Sequence, residues 1–160
     1  MPATCRVSEE YRITTGDGRS TEALVEAGGY GYAHSCVSSE HFPSRSLDGR
    51  QVRHVVLVEF DLEVTSEDAI LEAARLGLER PVYEDALHFG LEHPDVQRRG
   101  PVIFLHDPWF GLSGRRDVVC LWENAGRREI GLEGFDDPWT PDHRFAFIAP
   151  PPPAASAPRP

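Results

Sequence analysis

Between Val52 and Val64 the side chains alternate in character. Val56, Val58, Phe60, Leu62 and Val64 fall on one side of an extended backbone, and Glu59, Asp61 and Glu63 fall on the other. Period two is the signature of a strand with one packed face and one wet face. The run ends in Thr65-Ser66-Glu67-Asp68, a helix start in which a hydroxyl accepts an orphan amide and acids sit at the positive end of the dipole. Ile70, Leu71, Ala74 and Leu78 then give a helical stripe that Gly77 is placed to stop. A second helix follows Pro81, with Val82, Tyr83, Ala86, Leu87 and Leu91 on one face and Pro94 as its breaker. Past Gly100-Pro101 the pattern returns to strands, at Val102–Leu105, Val118–Glu123, Glu129–Leu132 and Arg144–Ile148.

A long strand, two helices and several short strands predict an α+β fold with a mostly antiparallel sheet, rather than a doubly wound one. The flanks read more simply. Residues 1–19 form a polar segment with a short strand at Tyr11–Thr14, and residues 20–149 form the single domain. A short capped helix is expected at Glu22–Ala27, then an aromatic-anchored loop from Tyr30 to Pro43 and a turn at Asp48-Gly49. Residues 150–160 hold six prolines and predict an extended or disordered tail. The 160 residues suffice to bury a core without disulfides or a structural metal.

Composition excludes several functions. The sixteen basic residues are all arginine, which removes Schiff-base chemistry and a phosphate-loop lysine. Net charge is -10, so the average field repels a polyanion and no nucleic-acid partner is expected. No run of about 18 apolar residues provides a membrane span, and the first residues carry no secretory signal. Charge is uneven: Glu59 to Asp95 holds eleven acids against two arginines, while Val96 to Arg128 holds six arginines against three acids. Cys5, Cys36 and Cys120 make no C-x-x-C pair and read as reduced thiols of a cytoplasmic protein, Cys120 as a small core residue.

One constellation carries potential chemistry. Asp107-Pro108-Trp109 and Asp137-Pro138-Trp139 repeat a tripeptide, with His106 before the first and His143 after the second. If the two loops converge, imidazoles and carboxylates suit a divalent metal or general-base work, and the indoles suit a sugar or a cation. The simpler reading is a turn and an anchor: Asp bonds its own backbone, Pro fixes φ, and Trp pins the loop to the core. Elsewhere, His88 and His93 lie about 140° apart around a helix and cannot share a metal. His34, Cys36 and His41 sit in one loop as weak zinc candidates, and no G-x-S-x-G, H-E-x-x-H or G-x-x-x-x-G-K motif occurs. Glu59, Asp61 and Glu63 read as a solvated edge.

The block Glu22-Ala23-Leu24-Val25-Glu26-Ala27-Gly28-Gly29-Tyr30, with His41-Phe42-Pro43, resembles the opening of a family of short, uncharacterised bacterial proteins. Thr65 to Ile70, Gly77-Leu78, Arg80-Pro81, Glu92 to Arg98 and the stretch from Trp139 to Phe147 extend that resemblance over roughly residues 20–148. It implies no activity. The element order also resembles C-type-lectin-like domains, including the formylglycine-generating enzyme group, without their calcium or disulfide signatures.

Together these readings give three expectations. The first is a non-enzymatic binding or interaction module for a protein or small polar ligand, with Trp109, Asp137 and Trp139 as contacts and no metal or cofactor. The second is a small metal-dependent hydrolase built on His106, Asp107, Asp137 and His143. The third is an acidic inhibitor or immunity-type protein whose Glu59–Asp95 surface masks a basic partner. Oligomeric state stays open.

Overall fold

A computed structural model describes residues 3–44, 49–111 and 113–151. The proline-rich tail expected at 150–160 and the turn at Asp48 therefore lie largely outside the described residues. The elements are β1 (Cys5–Thr15), α1 (Thr21–Ala27), β2 (Tyr32–Ala33), β3 (Gln51–Phe60), α2 (Ser66–Arg75), α3 (Tyr83–Glu92), a 3-10 turn (Val96–Arg99), β4 (Val102–Ile103), β5 (Trp109–Phe110), β6 (Arg116–Asn124), β7 (Arg127–Gly134) and β8 (Arg144–Ala149). The strands form one open, mixed sheet in the order β1-β3-β8-β4-β6-β7-β2, with β5 beside β6. Pairing is antiparallel except for β4 with β8 and β2 with β7. The α+β expectation holds at this level.

The half-wet strand does not. β3 lies between β1 and β8, and from Val55 to Val58 both its faces are buried. Val55 and Leu57 join one core cluster with Leu87 and Phe89 of α3 and Leu24 of α1. Val56, Val58 and Phe60 join a second with Ala69 and Ala73 of α2. The two helices after β3 thus cover opposite faces of the sheet, which makes three layers. β3 stops at Phe60; Leu62 is 47% exposed and Val64 returns only as a bridge to Trp139. The acids at 61 and 63 fall where the strand leaves the sheet, so they report its exit and not a wet face.

Local rules explain the helix ends. The Thr65 hydroxyl accepts from the Asp68 amide at 3.1 Å, and Gly77 takes φ +80° just past α2, a conformation glycine adopts without strain. The buried stripe of α2 is Ser66, Ala69 and Ala73, one position off the expected one, which leaves Leu71 half exposed. Asp85, fully buried, accepts from the Val82 amide at the start of α3 and takes both Arg53 Nε and Nη2, at 2.6 and 2.8 Å.

α3 also buries His88, whose Nδ1 has no hydrogen-bond partner among the described residues. Burial pushes its pKa down, against the opposing pull of Asp17 and Glu92. The folded state therefore holds His88 neutral, while the unfolded chain protonates it near pH 6.5. Stability from this group is present above that pH and is lost as pH falls through the lower folded value. Urea midpoints measured from pH 7.5 to 5 should fall more steeply for the wild type than for His88→Gln; equal slopes would show that His88 is not the group responsible.

Candidate functional site

The far end of β4 builds the site. Past β4 the Phe104 amide still bonds the Val119 carbonyl at 3.2 Å, and beyond His106-Asp107-Pro108 the chain returns as β5 against β6. On the other side Glu79 forms a two-bond bridge to Ile148 of β8, which sets the next residue, Arg80, beside the turn. Arg80 clamps it: Nε donates to the Leu105 carbonyl at 2.9 Å, Nη2 to the His106 carbonyl at 2.8 Å and Nη1 to Asp107 Oδ1 at 2.9 Å. A cleft of about 420 Å³ opens there, walled by His41, Phe42, Tyr83 and Trp109 and edged by Arg80 and Asp107. The aromatic wall is continuous: Trp109 lies 4.6 Å from the His41 ring and 5.6 Å from Phe42, and Phe42 lies 5.2 Å from Tyr83. Hydrogen bonds from Thr21 to the Phe42 carbonyl and from Tyr83 to the Pro43 carbonyl tie the 41–43 loop to this wall.

His106 sits beneath the cleft and is buried. The Val119 amide donates to its Nε2 at 2.9 Å, so Nε2 carries no proton; Nδ1 carries it and donates to the Asp107 carbonyl at 2.7 Å. Both ring nitrogens are thus engaged by backbone, and the imidazole holds the turn. Asp107 is the opposite case, with a side chain 97% exposed and bonded to Arg80.

The second tripeptide goes elsewhere. Its first residues do stay near the same end of the sheet, where Asp136 pairs with Arg116 at 3.0 Å and Asp137 approaches Arg115 at 3.9 Å. Trp139, however, is 3% exposed in the cluster under α2, whereas Trp109 packs against the cluster under α1 and α3. The indoles lie on opposite faces of the sheet, so the two tripeptides do not bring their tryptophans to one pocket. His143 is further removed. It immediately precedes Arg144, which pairs with Val102 in parallel strands, while His106 follows four residues after Val102. Neighbouring parallel strands place those histidines about 15 Å apart along the sheet. His143 Nδ1 lies 3.1 Å from Thr140 Oγ1, with the ring edge-on to Trp139. The structure therefore does not assemble His106, Asp107, Asp137 and His143 into one site.

The Cys36 amide donates to Nδ1 of the loop histidine His34 at 3.1 Å. Among the described residues no three His, Cys, Asp or Glu side chains come together to hold a metal ion, and no helix is long and apolar enough to cross a membrane. The acidic stretch is partly answered within the molecule: Glu59 by Arg6 at 2.7 Å, Glu67 by Arg116 at 3.7 Å, Glu72 by Arg75, and Asp85 by Arg53. Cys120 is buried and its thiol is pushed up by burial, as a core residue requires. The sequence reading missed Arg80, Tyr83 and His41 as parts of one cleft; the only signal was Arg80-Pro81 at the joint between two helices. Comparison with protein-family models, with curated proteins and with solved structures returned no match.

Proposed function

We propose that this chain is a non-enzymatic binding module that takes a small polar ligand in the cleft between His41, Tyr83 and Trp109. The observation that carries the reading is the Arg80–Asp107 pair at the mouth of an aromatic-walled cleft. Its volume falls within the range of small-molecule sites, which are mostly apolar with a few placed polar groups. The guanidinium and carboxylate neutralise one another, so the site favours an uncharged ligand. A diol or an amide both donates and accepts, and suits the pair; the apolar face of such a ligand suits the rings. His106, with both nitrogens engaged by backbone, supports binding over proton transfer. The element order that resembles lectin-like domains puts sugars first among ligands to test. Free thiols at Cys5, Cys36 and Cys120 support a reducing compartment.

The test is a thermal-shift panel of monosaccharides, oligosaccharides, nucleosides and amino acids. A ligand present at a hundred times its dissociation constant stabilises by about 2.7 kcal/mol. Asp107→Asn should abolish that rise and leave the unliganded Tm nearly unchanged, because the side chain is exposed. A rise that survives Asp107→Asn places the site elsewhere. Catalytic turnover of any panel member that Asp107→Ala abolishes overturns the non-enzymatic reading.

A further inference from the structure

We propose a second site, for an organic cation, on the face of β6 and β7 that lies under α2 but beyond its reach. Trp122 of β6 projects to this face and leans across Gly131 of β7, where an added Cβ would lie 2.4 Å from the ring. The far edge of the indole therefore abuts the glycine, and any side chain at 131 would displace the ring. Its Nε1 donates at 3.1 Å to Glu129 Oε1, and Arg127 in turn holds the other oxygen of Glu129, at 3.0 Å from Nη2. The ring is fixed in position and only half buried, and it borders a cavity of about 200 Å³ with Ile103, Glu123, Glu133 and His143.

Glu133 is two residues along β7 from Gly131, so its side chain shares the face with the ring. Glu123 already accepts from Arg98 at 3.0 Å. The backbone of Glu133 is paired with β6, but its carboxylate makes no hydrogen bond or ion pair among the described residues, and no arginine borders the cavity, although every basic residue of the chain is arginine. A π face beside an uncompensated carboxylate attracts a positive group and repels an anion. One open carboxylate does not hold a bare divalent ion, which demands several oxygen ligands. The chemistry fits an alkylammonium or guanidinium head, either on a lysine or arginine side chain or in a free amine. This site is independent of the Trp109 cleft, which lies on the opposite face.

The experiment follows the Trp122 Nε1–H resonance of the full chain by NMR at constant ionic strength. The probes are N-acetyl-lysine methylamide, tetramethylammonium chloride and the neutral N-acetyl-norleucine methylamide. A saturable shift with the lysine probe, absent with the norleucine probe, supports the site. Tetramethylammonium then distinguishes a site for any organic cation from one that also reads the lysine stem, and either response supports the proposal. Glu133→Gln should weaken binding about three- to fivefold, and Asp107→Asn should leave it unchanged. If Glu133→Gln perturbs the fold, Trp122→Phe, which keeps a π face but lacks the Nε1–H, is followed through the Glu133 amide and should retain weaker binding. The absence of any saturable shift, an equal response to norleucine, or binding unaffected by Glu133→Gln in a folded protein overturns the proposal.

Discussion

Arg128→Met will lose about 3–5 kcal/mol of stability, because it leaves several buried carbonyl acceptors without a donor at about 1–3 kcal/mol each. Arg128 is 7% exposed at the start of β7. Its Nε donates to the Pro94 carbonyl at 2.9 Å and its Nη2 to the Gly90 carbonyl at 2.6 Å and to Gln97 Oε1 at 3.0 Å, while Nη1 reaches the Gly28 carbonyl. The guanidinium lies 4.6 Å over the Tyr30 ring. Three orphan carbonyls, from the ends of α1 and α3 and the approach to the 3-10 turn, therefore share one donor held at the start of β7. Gln97 extends the network by donating to the Trp122 and Glu129 carbonyls at 2.8 and 3.0 Å. Methionine matches the stem and leaves those acceptors buried without donors, each costing about 1–3 kcal/mol and not additively. Arg128→Lys keeps the charge but loses the planar fork, so it should recover only a minor part. Urea unfolding should show the midpoint falling by about 1.5–3 M at an unchanged slope. A loss under about 1 kcal/mol would mean that water reaches the carbonyls and the network is not a keystone.

The fold was legible where a rule of spacing had only one solution. The Thr65 cap, the Gly77 stop and the strands β6 to β8 followed from residue type and period. β3 was misread because two signals overlapped. Val55-Val56-Leu57-Val58 is a continuous apolar run, which marks a strand buried on both faces, while the alternating acids beyond it suggested a wet one. The run was inside the sheet and the acids were outside it. β1 was seen only at Tyr11–Thr14, because an edge strand carries charge along its length; Arg6, Glu9, Glu10 and Arg12 broke the apolar pattern while guarding the edge. The two-residue strands β2 and β5 are too short to leave a period.

The candidate site was legible by composition and not by placement. Asp-Pro-Trp marked both turns, but the tripeptide does not encode which face of the sheet receives the indole; the strand that precedes each turn does. His106 is a competent base in sequence and a backbone clamp in space, a difference set by the Val119 amide thirteen residues away. Arg80 was obscure for the same reason, since its three acceptors lie 25 to 27 residues further on.

Two identical tripeptides should therefore respond unequally to the same change. Trp139→Ala is expected to cost about 3–5 kcal/mol, the range for truncating a fully packed aromatic. The indole is 3% exposed, meets Phe145 edge-on at 5.8 Å, and donates from Nε1 to Ser66 Oγ at 2.8 Å. Ser66 donates onward to the Phe135 carbonyl at 2.6 Å, and the Trp139 backbone exchanges two bonds with Val64. One side chain thus fastens the start of α2, the end of β7 and the exit of β3. Ser66→Ala leaves the indole N–H and a carbonyl unpaired, and should lose about 1–3 kcal/mol. In a double-mutant cycle with Trp139→Ala the pair should couple by more than about 0.5 kcal/mol. Trp109→Ala, at a half-buried ring bordering the open cleft, should cost distinctly less and instead abolish the ligand-dependent rise in Tm. Equal losses at the two tryptophans would mean that both indoles serve the interior alone, and the cleft would then lose its wall as a binding surface; a ligand response that Trp139→Ala removes from a protein still folded would contradict the assignment of the two loops to opposite faces.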